Sequence, residues 1–276
     1  MAFTTVDQII AALAAGNGQK WPFTKTLPST TAAGTWHTLW AATGMPSAGG
    51  NTTAGKANGA VCTSATAGAM PYTNAASGSM NLLSGAAGPT AAAGVGTLLV
   101  YDRIAHCNIA HNEATGSFAG MSATSRLGAT EGAQIWLEVT TALSAAANTM
   151  SFGYTNQAGT SSRTTPVFTT VASSIVGRNP VASTLFLPLQ SGDTGVRSLD
   201  TVASLTGTAT GNMNVVLARP LLALPMTTAG ILTQRDTVTE LYQMPKLYDA
   251  SCISFLFLPN AAGTPTWTGE LQYAFG

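Results

Sequence analysis

Between Lys25 and Asp102 the chain carries a single charged side chain, Lys56, and charged residues make up only 8% of the whole. Soluble domains ordinarily keep apart by surfaces of roughly 25–35% charged residues. Neutral Thr, Ser and Asn lose less on desolvation than ionised groups, so a surface this poor in charge is suited to lie against other surfaces. The composition points away from a freely diffusing enzyme and towards a component of an assembly.

At 276 residues, 45% of them hydrophobic, the chain suits one large domain or one domain with an extended arm. Large apolar side chains concentrate after Thr97. From Ala41 to Gly96 the residues are mostly Gly, Ala, Ser, Thr and Asn, which by composition is loop. Residues 1–96 are therefore expected to be an N-terminal arm of extended loops pressed against other surfaces, and residues 97–276 the folded domain.

The arm opens on a short amphipathic segment, Thr4–Ala15. Thr4 or Thr5 can cap a helix there, Asp7 suits its first turn, and Gly16 stops it. Val6, Ile9, Ile10 and Leu13 recur at helical spacing and form one apolar stripe. A helix of about three turns is marginal alone, so the stripe docks either on its own domain or on a neighbouring subunit. Together with Trp21 and Phe23, these four are the candidate partner-interface residues. Thr35–Trp40 then alternates like a strand.

Beyond Thr97 the apolar period is two. Leu98–Asp102 reads as a buried strand. Ile135, Leu137 and Val139 alternate, as do Met150, Phe152 and Tyr154; Leu185, Leu187 and Leu189; and Met213, Val215 and Leu217. Ile253, Phe255 and Phe257 follow, then Trp267, Leu271, Tyr273 and Phe275. Turn residues separate the runs, and one short helix is expected near Thr237–Met244. The fold class expected is all-β: an antiparallel sandwich, jelly-roll-like, with a short N-terminal helix and long Gly/Ala/Thr-rich loops.

Several function classes are disfavoured. The formal net charge is +0, from 11 basic and 11 acidic residues scattered singly, whereas nucleic-acid binding calls for a clustered basic surplus. No apolar run approaches the ~20 residues of a membrane span. The first residues lack the basic and apolar regions of a signal peptide, and three scattered cysteines, Cys62, Cys107 and Cys252, suit a reducing compartment. A cytosolic product is expected, on which the Asn51-Thr52-Thr53 glycosylation sequon would be inert.

Chemistry is sparse. The three histidines, His37, His106 and His111, have no nucleophile elbow to serve. His106, Cys107, His111 and Glu113 offer four metal-ligand types in one short stretch. On a strand, however, Cys107 and His111 lie about 13 Å apart. Asp193 and Asp200 flank a Gly-rich turn, where a turn role is favoured over calcium. Trp36, Trp40 and Trp267 fit core or interface better than a sugar platform. No catalytic, cofactor-binding or metal residue is assigned.

Within Gly132–Val202, three stretches carry a resemblance: Ile135-Trp-Leu-Glu-Val139; Ser151-Phe-Gly-Tyr-Thr-Asn156 with Gly159-Thr-Ser-Ser-Arg163; and Leu187-Pro-Leu-Gln-Ser-Gly-Asp-Thr-Gly-Val-Arg-Ser198. Here the chain resembles virion proteins of tailed bacteriophages, charge-poor structural proteins with sandwich or jelly-roll domains. Some of these decorate or cement capsids. The resemblance implies a non-enzymatic virion protein made in the host bacterial cytoplasm and incorporated into the particle. Its implied partners are the major capsid protein and copies of itself, as a homotrimer, and it has no cofactor. The alternative is a tail or receptor/carbohydrate-binding component. The matching positions are strand and turn residues and imply no catalytic role.

Overall fold

The computed structural model describes residues 3, 5–74, 79–124, 126–127, 131–181, 184–206, 208–240 and 244–276. One helix, α1 (Val6–Ala14), precedes an all-β body. Thr5 caps α1 through a reciprocal capping box with Gln8. The longer strands are β1 (Gly18–Thr26), β2 (Met80–Pro89), β3 (Gly96–Ala110), β4 (Gln134–Thr141) and β5 (Thr149–Asn156). They continue with β6 (Val196–Ser204), β7 (Asn212–Met226), β8 (Thr233–Asp236), β9 (Ile253–Pro259) and β10 (Thr266–Phe275).

Among the described residues all pairing is antiparallel and forms three sheets. Sheet A runs β8–β2–β10–β1, with Thr43–Met45 at its edge. Sheet B runs β9–β3–β7–β4, with His37–Thr38 beyond β9. Sheet C is built on β5 and β6. β3 and β7, 15 residues each, are paired along their whole length. One end of this ribbon supplies Leu98, Val100, Leu222 and Leu224 to a core shared with Phe23, Leu82, Trp267 and Leu271 of sheet A. The other end supplies Cys107, Ile109, Met213 and Val215 to a core shared with Phe152, Tyr154, Leu199 and Val202 of sheet C. The sandwich thus has one long sheet facing two shorter ones.

The segment expected to be an arm contributes β1 and β2 to sheet A, where both flank β10. β2 (MNLLSGAAGP) falls inside the tract read as loop, yet every one of its residues is buried. Its small residues are a packing requirement: a Cβ on Gly85 would come within 2.8 Å of Leu222 and 3.1 Å of Leu271. Leu185–Leu189, expected to be a strand, is irregular chain. It closes the free edge of β4, with the Leu187 N–H donating to the Ile135 carbonyl, which protects an edge that would otherwise recruit other strands. Thr237–Glu240, expected to be helical, is a turn, and 241–243 lie outside the described residues.

Candidate interaction surface

The outer face of sheet B carries a row of polar residues, and the charge-poor tract lies over it. Arg103 Nη2 meets Glu138 Oε1 at 2.7 Å, and Tyr101, His106, Trp136 and Asn214 complete the hydrogen bonds of the pair. Burial works to raise the Glu138 carboxyl, but the Arg103 guanidinium and the donors around it outweigh burial and hold it at about 2. Trp40 stacks on Arg103 at 4.3 Å. Asn51 and Thr52, of the sequon, accept hydrogen bonds from Asn214 and Asn108 respectively. The glycines of this tract permit close approach: a Cβ on Gly49 would stand 2.1 Å from the Trp40 ring. A second buried pair, Asp102–Arg126 at 2.6 Å, lies on the inner face, with Ser251 and the Cys252 N–H also donating to Asp102. Both pairs escaped the sequence reading. Their signal was an isolated charge inside an apolar strand run, at Asp102, Arg103 and Glu138.

The candidate metal ligands go to separate partners. His106 accepts from Arg103, the Cys107 thiol donates to the Gly55 carbonyl, His111 bonds Thr170, and Glu113 pairs with Lys56. Among the described residues no group of three or more His, Cys, Asp and Glu is placed to hold a metal. All three histidines are buried. Asp193 is fixed by Arg163, Tyr154 and Asn156, while Asp200 accepts from Thr155 and Ser198. Trp40 and Trp267 are buried in the chain's own cores, so neither is free to stack on a sugar.

The expected interface residues divide. Ile9 is 4% exposed and seats α1 against Leu83 and Ala274 of sheet A. Val6 (53%), Ile10 (58%) and Leu13 (45%) remain exposed. Phe23 is buried, its ring centroid 4.4 Å from that of Phe255, because its position on β1 faces the core shared with sheet B. Trp21 is half-buried, its Nε1 donating to Gln19. Of the six, the three exposed helix residues are the ones free to meet another surface.

Val6 and Leu13 border a trough on the outer face of sheet A. Beside α1 lies a depression of about 270 Å³, lined by Val6, Ile9, Leu13, Leu83 and Gln234. Gln234 is shared with a second depression of about 380 Å³ over Pro22, Ala86, Thr268 and Glu270. Leu232 and Thr268 join that one to a third beside Ile231. Ile231 and Leu232, in the turn before β8, are 58% and 59% exposed. Apolar groups thus stand at both ends of a shallow, mostly neutral groove.

No helix among the described residues is long and apolar enough to cross a membrane. No protein-family model matches the chain, and no curated protein matches it. Among solved structures, the VP2 subviral particle of infectious bursal disease virus aligns with 99% of this chain and 86% of its own, at 9% identity and a TM-score of 0.18. No fold relationship follows from a score of that size.

Proposed function

We propose that this chain is a non-enzymatic virion structural protein of a tailed bacteriophage, a decoration or cement component that binds neighbouring capsid subunits and copies of itself as a trimer. The observation that carries the reading is the apolar stripe of Val6, Ile10 and Leu13, left exposed on α1, with Val6 and Leu13 lining the sheet A trough. The resemblance across Gly132–Val202 and the low charge of the chain support it. Burial of neutral surface supplies the adhesion: a standard interface covers about 1,600 Å², and repetition over a lattice sums modest contacts by multivalency.

The test is incorporation. Particles assembled with Ile10→Asp and Leu13→Asp protein should carry it at reduced occupancy, while the purified variant keeps its wild-type stability. Wild-type occupancy with the doubly charged stripe, or absence of the wild-type chain from purified particles, would overturn the proposal.

A further inference from the structure

Cys62 and Cys252 are remote in sequence and meet at one edge of β3. Ala60–Val61 and β9 both pair with that edge, end to end: Ala60 opposes His106, Val61 opposes Ala105, and Ile253 opposes Asp102. The Cys62 N–H donates to the Ile104 carbonyl at 2.9 Å, and the Arg103 N–H to the Cys252 carbonyl at 2.7 Å. The two cysteines therefore stand opposite consecutive residues of β3. In an unbroken strand they would point to opposite faces. Here the chain is interrupted between them, and a bulge leaves Ile104 without a partner on β7. Both side chains join one apolar cluster with Trp40 and Ala69.

The geometry points to Cys62 and Cys252 as a disulfide-forming pair, closed by a small peroxide, that fastens the charge-poor tract to the start of β9. Cys62 is the attacking sulfur. The neighbouring Cys252 thiol, with His106 and Arg103 close by, holds its thiol well below the ordinary range. Its thiolate attacks one peroxide oxygen; the O–O bond breaks, a sulfenic acid forms and hydroxide leaves. That hydroxide takes the Cys252 proton. The new thiolate attacks the Cys62 sulfur and expels a second hydroxide, which takes up the proton that Cys62 first released. Two thiols and one hydrogen peroxide give one disulfide and two waters. Both thiols are buried, which favours a small oxidant over a bulky disulfide. Cys107 is the internal control: its thiol donates to the Gly55 carbonyl, and burial pushes it up to about 11.

The full chain is treated with hydrogen peroxide, quenched, unfolded and labelled with a maleimide. The expected result is one label per chain in place of the three that the reduced protein takes. A Cys62–Cys252 cross-linked peptide that disappears on reduction, and a higher thermal midpoint for the oxidised protein, complete the expected result. In Cys252→Ser, dimedone should capture a sulfenic acid at Cys62. The pairing is overturned by three labels at a dose that oxidises the unfolded control, by Cys107 reacting first, or by over-oxidised Cys62 without a cross-link. A cross-linked protein with an unchanged midpoint overturns the fastening role.

Discussion

Arg103 and Glu138 form a 2.7 Å ion pair whose side chains are 0% and 2% exposed, and both sit on the face of sheet B that the neutral tract covers. The chain's scarcity of charge and its most deeply buried charges belong to one arrangement. A cover that is itself neutral adds no competing ion to a pair that has lost its water.

Removing one partner should therefore cost far more than removing both. Glu138→Gln leaves a buried guanidinium with its charge unmatched, and a loss of about 3–5 kcal/mol is expected. The Arg103→Met, Glu138→Gln double variant should lose clearly less than Arg103→Met and Glu138→Gln summed, the signature of coupled neighbours. Urea unfolding of the four proteins closes the cycle.

Lys25 is buried with its ammonium donating to the Ala42 and Ser47 carbonyls, and burial pulls its pKa from 10.5 down to about 8. Between those values the unfolded lysine keeps a proton that the folded one has lost. Stability from this group should thus rise with pH above about 8, by up to about 1.4 kcal/mol per pH unit. Tyrosines and thiols with raised values oppose it at higher pH. The informative quantity is the difference between wild type and Lys25→Met across pH 7.5–9.5, which should grow in favour of the wild type.

On the acid side His37 acts with the same sign, over a lower pH range. Burial first, and Arg178 second, pull it from 6.5 to about 4. Unfolded chains take up its proton near pH 6.5 while the folded chain refuses it, so stability should decline from about pH 6.5 to 4, before most carboxylates titrate. His111 shifts the same way through burial. A urea midpoint that falls between pH 7 and 5, and falls less in His37→Asn, is the expected outcome; a flat profile would count against the assignment.

Neighbouring isoleucines on α1 should separate folding from docking. Ile9→Asp buries a carboxylate against Leu83 and is expected to cost about 2–4 kcal/mol. Ile10→Asp, at an exposed position, should stay within about 0.5 kcal/mol of wild type. Equal losses in thermal unfolding would show that the whole stripe is structural.

Where residue size and period agreed, the fold was legible. Ile135 and Leu137 face one core and Trp136 the other side, as their alternation requires, and Thr5 caps the helix that the Val6–Leu13 spacing describes. β2 was hidden because close approach to Leu222 and Leu271 selects Gly and Ala, the residues that also compose loops. Leu185–Leu189 misled for the converse reason: its every-other-residue leucines do not share one face but divide, Leu187 into one core and Leu185 beside another, as an irregular chain capping a sheet edge allows. The helix stripe of the candidate surface was legible, but the trough beside it was not, since Gln234, Thr268 and Leu232 come together only through the order of strands in sheet A.

That order also sets a timetable. β10 lies between β1 and β2, so the strand that joins them in sheet A is made after both. While residues 90–265 are being synthesised, β1 and β2 hold apolar side chains and unpaired backbone edges with no partner between them. Non-local pairing of this kind is slow and exposed to misassociation. A nascent chain stalled before Thr266 should therefore be bound by chaperones or aggregate, whatever the quality of the sheet already formed around β3 and β7.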